Sequence, residues 1–458
     1  MLLPPDESDD TLPVIPRRGE QRRYGGVAKL GKAYLIMEVP MASRRLYLVA
    51  GKVTDSVTYG FLPAAGRLGL DVILLTDRPS EHERTYPRRN VEIVECDVTD
   101  FRDIINSVRS PDAIFSNSDH LQAPAALAAA YFGLPAKDWR AATRTKNKAL
   151  MRRHLGDSGH DRGYVAELGD PGADLTGAPY PLVLKPREGV ASEDVVLIAG
   201  PGELAARVAE IGHRRPLMVE EYLPGRLHTL ETIGDGRELR VLGSFRTTLS
   251  PPPYFVEERL EWVPLPPDGD VVSQVLDQLR ALGVGFGASH TEFVVHEGRA
   301  RLIEVNYRNI GDHCDFLLAD LLNVPLFDDV LRIHLGEPLT ALTLGGGAPS
   351  TSASMSTSMS TSASGAAVPP AADRACHAIA EYVLADRSGT LVAAPEPGEF
   401  KRDGVLVTYR TQRPLGSTIA LTHTNRDYLG TITAIGPHPA AVAAAIARFR
   451  AEHVWAIT

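Results

Sequence analysis

Twelve residues after Glu292, in His290-Thr-Glu292-Phe293, comes Glu304, in Ile303-Glu304-Val305-Asn306-Tyr307-Arg308. Two adjacent strands explain that spacing. Successive side chains of a strand point to opposite faces, so Glu304 and Asn306 share one face, Arg308 follows on the same side, and Glu292 on the paired strand faces them. Two carboxylates and an amide oxygen are hard ligands of the kind magnesium accepts, with the remaining positions filled by phosphate oxygens and water. The set therefore reads as a site for a metal nucleotide; the plain alternative is a solvated sheet face with incidental charges.

The surrounding pattern supplies a frame for such a hairpin. From Arg45 the chain alternates short apolar strands with helical stretches. The strands are Leu46 to Ala50, Val72 to Thr76, Val91 to Glu95 and Ala113 to Ser116; the helices run from Leu62 to Leu68 and from Leu121 to Phe132. Alternating β and α implies a parallel sheet; Asp77 stands where such sheets place ligands, but the prevailing reading is a turn residue. Residues 345–372 are rich in Ser, Thr, Ala and Gly and offer too little apolar surface to offset the entropy of ordering, which makes them a linker. Beyond it, apolar segments resume at Leu391, Val405 to Tyr409 and Leu429 to Ile435, and an alanine-rich helix from Ala440 to Phe449 closes a small α+β unit.

The chain's 458 residues exceed what one core organises. A net charge of -9 removes the usual basis for binding nucleic acid or anionic lipid. Cys96, Cys314 and Cys376 lack any paired spacing, so neither a disulfide framework nor a zinc site is expected. The start is acidic and proline-broken, and no run reaches the roughly 18 apolar residues of a membrane span. A reducing cytoplasm is the expected setting.

The Glu292, Glu304, Asn306 and Arg308 set resembles the core of the ATP-grasp superfamily, where an acidic residue on one strand and an E-x-N-x-R segment on the next hold magnesium. Upstream, Arg144-Thr-Lys-Asn-Lys148-Ala-Leu-Met-Arg152 occupies the place of the family's first lysine. Tyr180-Pro-Leu-Val-Leu-Lys185-Pro supplies the second, at the end of a strand. Gly189-Val-Ala-Ser192-Glu-Asp-Val195 is similar to the family's glycine-rich phosphate loop, with Ala191 where a second glycine is frequent. Pro216-Leu-Met-Val-Glu220-Glu221-Tyr-Leu223-Pro-Gly is similar to the hinge strand that reads adenine. Two positions depart from the pattern: Leu227 stands where a ribose-binding glutamate is frequent, and Tyr307 where amino-acid ligases usually carry proline. His228 either substitutes at the ribose or is a structural histidine.

The resemblance covers residues 45–340 and implies an α/β and α+β multi-domain chain: an ATP-grasp fold with an N-terminal Rossmann-like pre-ATP-grasp domain. The expected layout is an extension at 1–44, the α/β domain at 45–140 and the ATP-grasp domain at 141–344. Its small subdomain spans about 155–223 and its large one about 224–344. The linker follows, and then a C-terminal α+β domain at 373–458 that resembles the extra domain of carboxylate-amine ligases.

What the resemblance implies chemically is amide synthesis through an acylphosphate, from ATP, magnesium, a small carboxylic acid and an amine. Lys148, Lys185 and Ser192 then hold phosphates, and Glu220, Glu221, Leu223 and His228 hold the nucleoside. Glu292, Glu304 and Asn306 hold magnesium, and Arg308 stabilises the transferring phosphoryl group. The E-V-N-Y-R segment is similar to that of siderophore and specialised-metabolite enzymes, and family analogy implies a homodimer. Arg246 and the loop from Pro251 to Glu258 are candidates for acceptor contacts or plain surface. Two other readings share the core: a bicarbonate-activating carboxylase of the biotin or purine type, and an ATP-binding protein that has lost catalysis.

Overall fold

The computed structural model describes residues 43–86, 91–169, 175–212, 214–263, 270–343 and 376–458. The expected extension at 1–44, except its last two residues, and the whole linker at 345–372 lie outside the described residues. Strands β1 (Arg44–Val49), β2 (Leu70–Thr76), β3 (Glu92–Glu95) and β4 (Ala113–Phe115) pair in parallel in the order β3-β2-β1-β4. Such strands are buried on both faces and so lack polar alternation. Leu46, Leu48 and Leu74 pack with Phe61 and with Ala64 of α1 (Leu62–Arg67). Tyr47, Val49 and Leu75 face the opposite core, with Ile104 of α3 (Phe101–Ser107) and the alanines of α4 (Gln122–Tyr131). Between β2 and β3 runs the short α2 (Pro79–Thr85). A π-helical turn, Ser56–Phe61, precedes α1 and was not expected from the sequence; in it Gly60 lies so close to Phe327 that a Cβ would sit 2.4 Å from the ring.

Helices α5 (Trp139–Lys146) and α6 (Lys148–Asp157) lead into the second layer. It comprises β5 (Val165–Glu167), β6 (Leu182–Pro186), β7 (Val196–Ile198), α7 (Pro201–Ile211) and β8 (Leu217–Glu221), with antiparallel order β5-β8-β6-β7. Leu182, Leu184, Leu217 and Val219 pack on Leu204 of α7. The two-residue period then turns Val183, Lys185 and Glu220 to the other face, where they line a cleft.

The third layer is a nine-stranded sheet. Its first part holds β9 (Arg226–Asp235), β10 (Leu239–Leu249), β11 (Glu257–Val263), β12 (Phe286–His296) and β13 (Arg299–Asn306), with α8 (Val271–Leu282), α9 (Cys314–Leu322) and α10 (Leu326–His334) against them. The chain then adds β14 (His377–Leu384), β15 (Gly389–Ala393), β16 (Gly398–Arg402), β17 (Val405–Thr411), β18 (Thr418–Ile419), β19 (Tyr428–Gly436), α11 (Pro439–Glu452) and β20 (Ala456–Ile457). The sheet runs β13-β12-β9-β10-β11-β14-β19-β17-β16, while β18-β15-β20 form a small separate one. The sequence reading resumes only at Leu391 and misses β14, the strand that joins the two halves through Arg259↔Glu381, Leu260↔Ala380 and Glu261↔Ile379. Buried on both faces, Ala378-Ile-Ala-Glu-Tyr-Val carries little of the alternation that marks a half-exposed strand.

Candidate functional site

Strands β12 and β13 place His290 opposite Asn306 and Glu292 opposite Glu304, with a bulge just beyond Glu292. Like charges directly opposite on one face repel, so the pair needs cations. Lys148, the first residue of α6, brings its Nζ to 2.9 Å from Glu304 Oε1. His290 Nε2 is 3.6 Å from Glu292 Oε1, and its Nδ1 is 2.8 Å from Glu231 Oε1. Burial alone would lower the His290 pKa, but Glu231 and Glu292 hold it at about 10, so the ring is cationic. Burial likewise opposes ionisation of Glu292, and His290, Lys148 and Arg308 overcome it.

The remaining ligand shell fits a hard cation. Two carboxylates converge with Asn306 at the end of β13, and among the described residues no cluster of three His, Cys, Asp or Glu side chains forms a metal cage. A partial shell completed by phosphate and water is the usual arrangement for magnesium.

A buried chain of charge stands across the cleft. Lys185 pairs with Glu220, whose other oxygen accepts from Arg152 Nε at 2.8 Å. Arg152 continues to Asp161 at 3.1 Å, and Asp161 to Arg301 at 3.1 Å. Arg301 NH1 then reaches Glu221 Oε1 at 2.9 Å. Burial would raise the Glu220 carboxyl, but Arg152 and Lys185 hold it well below the usual carboxylate range. Desolvation lowers the Lys185 ammonium to about 8 against the pull of Glu220. Glu220 therefore fixes the lysine that points into the cleft.

The cleft lies between the second and third layers and is lined from both, a concave setting of the kind small-molecule sites use. Lys148, Lys185, Ser192, Glu220, Glu221, Leu223, Glu292 and Glu304 all line it. Its walls are apolar at Val183, Leu227, Leu249, Phe255, Val294 and Ile303. His228 does not line it: the ring stacks on Phe293 with centroids 5.8 Å apart, and Leu227 takes the cleft side.

A second chamber opens beyond the loop at Gly189 to Val195 and holds Asn306 and Arg308, sharing Ser192, Glu257, Glu292 and Glu304 with the first. Glu257 belongs to the Pro251 to Glu258 loop named above as a candidate for acceptor contacts, and it lines both chambers; burial, with Glu292 and Asp312 nearby, pushes its carboxyl up to about 8. Tyr382 and Asn425 of the C-terminal segment complete the wall. Nothing local in the sequence pointed to those two, since each comes from a distant strand or loop. Arg152 and His290 were legible in principle, lying one helical turn from Lys148 and two strand residues from Glu292. Arg246 pairs with Glu261 and lines neither chamber. Cys314 is fully buried and its thiol is raised by desolvation, which removes it as a nucleophile.

No family model matches the chain. The uncharacterized protein y4rH of Sinorhizobium fredii is 27% identical over 323 residues, an alignment spanning 66% of this chain and 65% of that protein. The L-amino acid ligase of Bacillus licheniformis superposes with a TM-score of 0.72 at 19% identity, over 91% of this chain and 99% of that one. The biotin carboxylase domain of 2-oxoglutarate carboxylase from Hydrogenobacter thermophilus, solved with MgADP and bicarbonate, gives 0.61 at 16% identity over 90% of both chains. Layer for layer, and with Lys148, Lys185, the loop at Gly189 to Val195 and the acidic hairpin in order around one cleft, this chain has the ATP-grasp fold.

Proposed function

We propose that the chain is an ATP- and magnesium-dependent ligase that joins a small carboxylic acid to an amine through an acylphosphate. The observation that carries this reading is the convergence of Lys148, Lys185, Glu292 and Glu304 on one cleft, continuous with a chamber that holds Asn306 and Arg308. In this reading Lys148, Lys185 and the loop at Gly189 to Val195 hold the triphosphate. Glu292, Glu304 and Asn306 hold magnesium, which neutralises phosphate charge. The carboxylate enters the second chamber and attacks the γ-phosphorus in line as the bond to the β-phosphate oxygen breaks and ADP leaves, with Arg308 balancing charge on the moving group. The amine then attacks the acylphosphate carbon, the bond to phosphate breaks and the amine's proton departs to phosphate or solvent; the chamber's buried walls shield the intermediate from water.

The near-complete overlay on an L-amino acid ligase supports the carboxylate-amine branch. The similarity of the E-V-N-Y-R segment to that of siderophore and specialised-metabolite enzymes supports a product of that class. A cytoplasmic homodimer is part of the same reading; among the described residues no helix is long and apolar enough to cross a membrane. The carboxylase reading draws support from the bicarbonate-bound neighbour.

The deciding experiment measures ADP and phosphate release with magnesium and ATP across pooled acids and amines, with and without bicarbonate, reading products by mass. A product lighter than its two substrates by one water supports ligation. Turnover that needs bicarbonate favours the carboxylase, and ATP binding without ADP release in any pool favours the non-catalytic protein.

A further inference from the structure

The phosphate loop is held in an unfavourable backbone shape by a part of the chain more than two hundred residues away. Ala191, Ser192 and Asp194 have φ of +59°, +54° and +57°, a region where side-chain-bearing residues are uncommon and cost free energy each time. Something outside the loop must hold it there. The Ala191 carbonyl accepts from Asn425 N at 3.0 Å. Glu193 Oε1 accepts from Arg426 Nε at 2.7 Å, and Arg215 flanks Glu193 and Asp194.

The segment that makes these contacts is itself rigid. Asp427, buried, accepts from Thr422 N at 3.0 Å and His423 N at 2.7 Å. Thr424 and Asp427 form a reciprocal capping box at the start of the 3-10 turn Asn425–Asp427. The His423 ring stacks on Tyr254 at 4.4 Å, nearly parallel at 5°, and Tyr254 bridges to Val196 just past the loop. Asn425 Oδ1 also accepts from Glu257 N at 3.1 Å in the wall shared by both chambers. One preformed turn thus touches the phosphate loop and the chamber wall together.

We propose that Asn425 and Arg426 are positioning residues: the C-terminal segment is a latch that fixes the phosphate loop over the β- and γ-phosphates. This rests on the ATP-binding reading above. The latch touches the loop and the Glu257 wall beside Glu292 and Glu304, so it acts on phosphate recognition and leaves the adenosine end alone.

The turn permits a clean dissection. Asn425 is the first residue of its helical turn and Thr424 before it is extended, so proline is conformationally acceptable at 425 and deletes the N–H donor. Asn425→Ala keeps that donor and removes only the side chain. The experiment measures dissociation constants, with magnesium, of a non-hydrolysable ATP analogue and of AMP for the parent, Asn425→Pro, Asn425→Ala, Arg426→Ala and Arg426→Lys, with melting temperatures alongside. Loss of one hydrogen bond predicts about a tenfold weaker triphosphate for Asn425→Pro, and loss of a half-exposed ion pair about threefold for Arg426→Ala. AMP affinity holds in both, Asn425→Ala, which loses only the Oδ1 contact to Glu257 N, weakens the triphosphate less than Asn425→Pro does, and Arg426→Lys recovers most of the loss. Unchanged triphosphate affinity in Asn425→Pro and Arg426→Ala overturns the latch, as does an equal loss for AMP and the triphosphate. A parent that binds no ATP overturns the ligase reading and the latch with it.

Discussion

Lys148 Nζ sits 2.9 Å from Glu304 Oε1, and the two residues are 156 positions apart in the chain. Lys148 opens α6, where Asn147 caps the helix by accepting from Leu150 N, and its own N–H donates to Arg187 O at 2.8 Å. One residue therefore ties the helix, the end of the lysine strand and the Glu304 strand together. A lysine at that junction balances the opposed carboxylates of Glu292 and Glu304; in the proposed ligase, a divalent cation at these carboxylates would free it for phosphate.

Glu304→Gln should accordingly leave the fold intact and lower ADP release by about a hundred- to a thousandfold, the usual loss for one preorganised electrostatic contact. Lys148→Met should weaken ATP by about tenfold through loss of one charge-assisted bond. Steady-state ADP release and calorimetric titration of both variants test this. Parent-like turnover in Glu304→Gln would remove Glu304 from the metal site.

Lys185 gives a pH prediction. Desolvation depresses its ammonium to about 8 in the free protein, while a bound triphosphate favours the charged form. Between pH 8 and 9 the free lysine is partly neutral and the bound lysine is charged, so ATP binding takes up a proton and affinity falls as pH rises. Calorimetry at pH 8.5 in buffers of different ionisation enthalpy reads the uptake directly. Lys185→Arg, charged at every accessible pH, should abolish it; the same uptake in the variant would assign the proton elsewhere.

The order of motifs from Lys148 to Arg308 was legible because each follows a local rule: a lysine ending an apolar strand, a loop with a glycine start, and a period of two along the acidic strands. Leu227 and His228 show the same rule resolving an ambiguity, since alternation on β9 sends Leu227 to the cleft and His228 onto Phe293. What stayed hidden was long-range. Tyr382 and Asn425 reach the second chamber through sheet order and loop packing, and no spacing within their own segments encodes partners so distant in the chain. Strand β14 was missed for a different reason: buried on both faces, it shows no strict alternation.

The Arg152–Glu220 pair predicts how stability and site are coupled. Both side chains are almost wholly buried, and Glu220 serves Lys185 as well. Arg152→Met leaves Asp161 and Glu220 short of a buried cation, at a cost of about 3–5 kcal/mol, while a variant that removes both charges of the pair avoids the stranded carboxylate. Thermal unfolding of Arg152→Met, Glu220→Gln and the double variant should show the double less destabilised than the sum of the singles. Strict additivity would mean that the network carries no coupling.

His334 contributes to the loss of stability in acid. Its ring lies edge-on to Phe115 at 4.8 Å and to Phe286 at 5.1 Å, with Nδ1 2.9 Å from Val330 O. Burial, with the Lys137 cation nearby, lowers its pKa to about 3 from the ordinary 6.5. The sign follows from proton counting. Between pH 6.5 and 3 the unfolded chain binds a proton that the folded chain refuses, so the stability present above pH 6.5 declines by about 1.4 kcal/mol per pH unit as pH falls through that window. His334→Leu keeps an apolar side chain of similar volume and removes the titration. Its melting temperature should therefore gain on the parent's steadily from pH 6.5 to pH 5, whatever the offset between them at pH 7.5. A constant offset over that range would show that His334 takes up its proton in the folded state as readily as in the unfolded one.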